Sequence, residues 1–222
     1  MTTAPDRLPA AMPPADCPLC PRLAAFRAAN RAAHPGYHNA PVPPFGGLDA
    51  RLLIVGMAPG LHGANQTGRP FTGDYAGDLL YGTLLAFGFA SGRYGRRADD
   101  GLTLQDCRIT NAARCVPPKN KLEPQEIHTC RQFLIAELEA MPSLRAILAL
   151  GKDAHDSVVR TLGGKPSRLP FTHGGQHDLR PGLRLFSSYH CSRYNTNTGR
   201  LTTPMFEAVV AAVRAHLDAL TG

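Results

Sequence analysis

The sequence predicts an α/β fold, a three-layer α/β/α sandwich around a central four-stranded parallel sheet. Two patterns carry that prediction. Four short apolar runs have strand length, and helical periodicities fill the intervals between them. Strands that alternate with helices pair in parallel, and the helices then cover both faces of the sheet. Size agrees: 222 residues with 43% hydrophobic content can close one domain around a full core.

Taken in order, residues 1–15 are rich in Pro and Ala and read as a disordered tail. A single domain is expected over residues 16–222. Its strands are Leu52–Gly56, Cys107–Asn111, Ala146–Leu150 and Leu185–Tyr189. After the first strand, Leu79, Leu80, Leu84 and Phe87 recur at helical spacing. After the second, Ile127, Cys130, Leu134 and Leu138 do so, with Pro124 at the first turn. Val158, Val159 and Leu162 mark a third helix. A fourth, opened by Thr203-Pro204, carries Phe206, Val209, Val210, Val213, Leu217 and Leu220.

Several classes are disfavoured. No run approaches the roughly 20 apolar residues that span a bilayer. The N-terminus carries Asp6 and Arg7 and has no apolar core, so it does not read as a signal peptide. A cytoplasmic protein, monomeric and without a membrane partner, is expected. Structural disulfides are rare there, so the six cysteines call for metal binding, catalysis or simple burial. The net charge of +7 favours a polyanionic partner, although charge alone is weak evidence.

In open α/β sheets, ligands bind beyond the carboxyl ends of the strands. Three chemically loaded loops should therefore converge. The first runs from Gly56 to Asp74, GMAPGLHGANQTGRPFTGD. It has neither the dinucleotide-binding nor the P-loop glycine spacing. The second runs from Thr110 to Pro118, TNAARCVPP, and the third from Tyr189 to Arg200, YHCSRYNTNTGR.

Together these loops resemble the uracil-DNA glycosylase superfamily, and most closely its type B (family 5) members. The first matches that family's long GLAPGxHGxNxTGRPFTGD motif, with Met57 where Leu is usual. The third matches the His-containing motif that ends in NTGR, with Cys191 where Pro is commoner. The resemblance spans about residues 17–215. It implies a glycosylase that removes uracil, and deaminated bases such as hypoxanthine and xanthine, from double-stranded DNA, leaving an abasic site. Alternatives are a noncatalytic sensor of uracil-containing DNA, a branch that becomes covalently trapped on DNA, and an iron–sulfur redox protein.

Breaking an N-glycosidic bond develops cationic character on the sugar and negative charge on the base. The enzyme must extrude the base, grip it and supply water. Phe71 can stack on the base, although an isolated Phe is more often core. Asn111 offers an acceptor and a donor that complement uracil N3–H and O4, against an ordinary role at a strand end. His190 can donate to uracil O2, and Asp74 can position water while capping a helix. Ala58 and Gly60 are further base contacts, and His62, a second candidate histidine counted with them, is placed near the base or the phosphate. Arg69, Lys119, Lys121, Arg193 and Arg200 are candidate phosphate contacts, and Tyr194 is a candidate wedge.

Cys17-x2-Cys20, with Cys115 and Cys130, makes a four-thiolate site possible. Residue chemistry leaves zinc and iron open. The same layout in type A and type B uracil-DNA glycosylases implies a structural 4Fe–4S cluster. Cys107 is expected to pack as a small apolar group, and Cys191 adjoins the proposed site without a catalytic part.

Overall fold

The computed structural model describes residues 12–220. The expected tail therefore lies, over residues 1–11, outside the described residues. Pro13 is buried, and Cys17 N–H donates to the Pro14 carbonyl at 2.9 Å.

The helices are α1 (Pro21–Ala33), α2 (Ala64–Thr67), α3 (Tyr75–Ala86), α4 (Pro124–Glu139), α5 (Lys152–Thr161), α6 (Arg193–Asn197) and α7 (Thr203–Asp218). The strands are β1 (Leu52–Gly56), β2 (Ala90–Ser91), β3 (Thr103–Leu104), β4 (Cys107–Asn111), β5 (Ala146–Leu150), β6 (Gln176–Arg180) and β7 (Leu183–Ser188). β2 and β3 form a separate two-stranded ribbon.

The main sheet has the order β4-β1-β5-β7-β6. Its first four strands are parallel and correspond to the four runs read from sequence. β7 begins two residues earlier than expected, at Leu183, and ends at Ser188. The sheet also has a fifth strand, which corrects the expected count. β6 pairs antiparallel with β7, and its residues Gln176-His177-Asp178-Leu179-Arg180 alternate between exposed and half-buried. As an edge strand it meets the core on one face only, so it shows no continuous apolar run.

β1, β4 and β5 are buried along their whole length because both sheet faces are covered. Leu52, Ile54, Leu148 and Phe186 pack with Leu80 and Leu84 of α3 and Val210 and Val213 of α7. Leu53, Val55, Ile147 and Leu185 pack on the other side, with Leu134 of α4 and Val158 of α5. The chain passes from β1 to β4 on one side and then crosses to β5 on the other. Such a reversal opens a crevice at the carboxyl ends of the strands.

Candidate active site

The three loops converge there. They line one cleft of about 1130 Å³ that includes Met57, Ala58, Gly60, His62, Phe71, Asp74, Asn111, His190 and Arg193. The cleft extends past these groups to Leu122, Ile127, Arg131 and Arg160.

Phe71 occupies the inner part of the cleft and is 7% exposed. Its backbone is left-handed, with φ of +52°, a costly conformation for an aromatic residue. The surroundings enforce it. Tyr81 Oη donates to the Pro70 carbonyl at 2.6 Å, and Tyr94 Oη donates to the Phe71 carbonyl at 3.2 Å. Thr67 Oγ1 donates to the Thr72 carbonyl at 3.0 Å. The Phe71 ring lies 5.9 Å from that of His190, with 32° between planes.

Arg69 corrects an expectation. It is 4% exposed, and its guanidinium grips Asp100 at 2.7 and 2.8 Å. It sits among the rings of Phe45, Tyr81 and Tyr94 at 5.1–5.8 Å. The side chain braces the loop from beneath, out of reach of DNA phosphate. Although burial opposes ionisation, Arg69 holds the Asp100 carboxyl well below the usual carboxylate range.

Asp74 caps α3, with Ala76 N–H donating to its carboxylate at 3.1 Å. Burial raises its pKa, opposed by the backbone N–H groups of Gly77 and Ala76. The carboxylate is cradled by glycines. A Cβ at Gly60 would lie 3.2 Å from it, and one at Gly63 would collide with it.

Asn111 ends β4 and is 3% exposed, and its side-chain amide, which makes no hydrogen bond within the described residues, opens into the cleft. Gly56, its partner across β1, leaves the room: a Cβ there would lie 2.5 Å from both Asn111 Oδ1 and the Phe71 ring. His190 follows β7, half-buried, with its carbonyl accepting from Asn195 Nδ2 at 2.8 Å. Burial lowers its pKa and favours the neutral imidazole.

Tyr75 and Arg193 line the cleft, whereas Tyr189, Tyr194 and Arg200 lie outside its lining. Arg193 stacks over Tyr75 at 5.3 Å, and Arg200 over Tyr189 at 4.6 Å. Tyr194 is 72% exposed. Lys119 is exposed in a 3₁₀ turn next to the cleft, and Lys121 lines the cleft itself.

A model of the uracil DNA glycosylase superfamily matches residues 43–214. The chain belongs to that superfamily. A type-5 uracil-DNA glycosylase of Thermus thermophilus is 44% identical over 199 residues, covering 87% of this chain and 90% of that protein. A type-5 enzyme of Pyrobaculum aerophilum is 39% identical over 208 residues, covering 92% and 89%. A type-4 enzyme of Thermotoga maritima is 32% identical over 148 residues, covering 66% and 67%.

This member of the uracil DNA glycosylase superfamily brings Cys17, Cys20, Cys115 and Cys130 to one small cavity, walled by Leu19, Leu23 and Phe133. Among the described residues, no three His, Cys, Asp or Glu side chains are gathered closely enough to hold a single ion. A cubane differs, since it spreads four thiolates over separate irons. The donor set fits such a group. Arg114 N–H donates to Cys130 Sγ at 3.4 Å, and Arg27 Nη1 donates to Cys115 Sγ at 3.6 Å. Burial pushes the Cys20 and Cys115 thiols up to about 11 and about 12, so as free groups they stay protonated.

Residues that sequence reasoning missed support the site from behind. Glu137, fully buried on α4, accepts from Arg108 at 2.7 Å, Arg114 at 2.5 Å and Thr110 at 2.9 Å. Arg114 also bonds Thr110, and Arg108 the Gly46 carbonyl. Separately, Tyr81, Tyr94 and Asp100 brace the first loop, and Gly56 and Gly63 leave room for Asn111, Phe71 and Asp74. Gly56 and Gly63 lie inside the first motif and could have been singled out. A buried Glu on a helix carries no sequence signal.

Proposed function

We propose that this chain hydrolyses the N-glycosidic bond of uracil in double-stranded DNA, releases the base and leaves an abasic site, and that it also accepts hypoxanthine and xanthine. The Asn111 amide, free of protein hydrogen bonds and open to the inner end of a basic cleft, carries this reading. Because the amide opens into the cleft, water can satisfy it in the free protein and a ligand of matching donor and acceptor pattern can replace that water. A flipped uracil would do so.

In this reaction Phe71 stacks on the extruded base, where stacking is worth about 1–3 kcal/mol. Asn111 pairs with N3–H and O4. Asp74 orients a water against C1′. The C1′–N1 bond breaks, its electron pair stays on the base, and His190 donates to O2 as charge grows there. Water oxygen bonds C1′ and its proton passes to Asp74. No lysine nucleophile is used, so the strand remains intact. Arg193, Arg200, Lys119 and Lys121 face the phosphates, and Tyr194 enters the gap in the duplex.

Cys17, Cys20, Cys115 and Cys130 would hold the 4Fe–4S cluster. Bound there, it would tie the N-terminal segment to the start of α4 and supply no electrons to the reaction. Protein purified without air should carry about four iron atoms per chain and lose them when Cys17 and Cys20 are replaced by Ala. Iron-free protein of full stability counts against the cluster.

The function is tested by incubating the protein with uracil-containing duplex and then heating in alkali. Strand breaks confined to the uracil position are expected. Bound but intact DNA would refute hydrolysis. Asn111→Asp should relax or invert the choice between uracil and cytosine, because a donor becomes an acceptor. Unchanged selectivity would remove Asn111 from base reading.

A further inference from the structure

The turn after α1 and the first glycine-rich loop are zipped together. His38 N–H donates to the Gln66 carbonyl at 3.1 Å, and Asn39 N–H to the Asn65 carbonyl at 3.2 Å. Asn65 Nδ2 donates to Asn39 Oδ1 at 2.9 Å, and both residues are buried. Asn39 Nδ2 donates in turn to the His34 carbonyl at 2.7 Å.

On the outer side of this zipper, Tyr37 Oη lies 3.1 Å from His62 Nδ1. The His34 ring stacks on Tyr37 with 4.7 Å between centroids and 15° between planes, and meets His62 edge-on at 5.8 Å. His62 lines the cleft, whereas His34 and Tyr37 stand outside it.

The contact admits either direction; with Tyr37 Oη as the donor to Nδ1, the arrangement we adopt, the imidazole proton sits on Nε2. Stacking limits rotation, so the donor is held in one direction. Within the described residues His62 Nε2 has no partner. A fixed N–H at the mouth of a basic cleft matches an anionic oxygen. Phe71 and Asn111 occupy the buried inner end, while His62 is exposed. The oxygen therefore belongs to the DNA backbone and not to the base.

We propose that Tyr37 and His34 are positioning residues that fix His62 as an Nε2–H donor to a DNA phosphate flanking the extruded nucleotide. This rests on the glycosylase reading above.

The test is a chemical double-mutant cycle on abasic-site duplexes. Kd is measured for wild type, Tyr37→Phe, His62→Gln and the double variant. Each is tested on native DNA and on DNA with one flanking phosphate at a time replaced by a neutral methylphosphonate. Tyr37→Phe should weaken binding roughly three- to tenfold on native DNA. It should cost nothing further at one particular methylphosphonate, or in the His62→Gln background. Wild-type affinity in Tyr37→Phe would overturn the proposal, as would an equal loss on every duplex. A slower single-turnover rate with unchanged Kd would assign His62 to the leaving base instead and also overturn it. Wild-type protein that releases no uracil would sink the enzymatic reading separately, because phosphate binding remains measurable on abasic DNA.

Discussion

Asp74→Asn is expected to lower the single-turnover rate of uracil release by about 10²–10⁴ while changing DNA affinity little. The asparagine keeps an oxygen for the Ala76 N–H, so the cap on α3 survives. Only charge and basicity are removed. Burial raises the Asp74 pKa, so the wild-type rate should fall as pH drops through a value above the ordinary carboxylate range. The residual rate of the variant should be flat there. Stability carries the opposite sign. The native state holds the Asp74 proton more tightly than the unfolded chain does. Stability therefore declines as pH rises between the ordinary and the raised pKa, and the full cost persists above. At neutral pH the Asn variant should melt at or above the wild-type temperature. Equal losses of rate and affinity, with a lower melting point, would make Asp74 a structural residue.

Glu137→Ala has the largest expected effect on folding. Glu137 is fully buried and pairs with both Arg108 and Arg114, which are 7% and 1% exposed. Burial pushes its carboxyl up, but the two guanidiniums outweigh burial and hold it below the usual range. Removing the carboxylate strands two buried cations, at a cost of about 3–5 kcal/mol. For a chain of this size that corresponds to a fall of roughly 10 °C in Tm, read by thermal melting. Because the Glu137 pKa is depressed, its contribution is present above the ordinary carboxylate pKa and fades as pH falls through the lower value. The difference between the proteins should therefore narrow in acid. Replacing Arg108, Glu137 and Arg114 together by apolar residues should recover much of the loss, since no charge is then left unpaired. A Glu137→Ala protein as stable as wild type would show that water reaches the triad.

How legible the protein was depends on the range of the interactions involved. β1 and β5 are buried on both faces, so each is a five-residue apolar run that a hydrophobicity window detects, whereas the equally buried β4 carries Arg108, Thr110 and Asn111 and is less plainly marked. β6 escaped because it is an edge strand of alternating exposure that buries only one face. The Pro181-Gly182 turn, with Gly182 at φ +77°, was its only local signature. Within the site, Phe71, Asp74, Asn111 and His190 could be named from their loops, and the cleft does gather them. Arg69 was misjudged. An arginine in a Gly/Pro-rich loop reads as a surface cation, and its partner Asp100 lies 31 residues away.

By itself the sequence determined the parallel α/β architecture, the three loops and the residue types that suit base excision. Each of these follows from local periodicity or from contiguous motifs. Tertiary structure alone decided which polar groups are consumed and which are left free. It turned Arg69 inward onto Asp100, left the Asn111 amide unpaired, seated Glu137 between two arginines and set Tyr37 against His62. Those outcomes depend on contacts between distant segments, where the cost of burying an unpaired polar group is resolved only by what the fold brings alongside it.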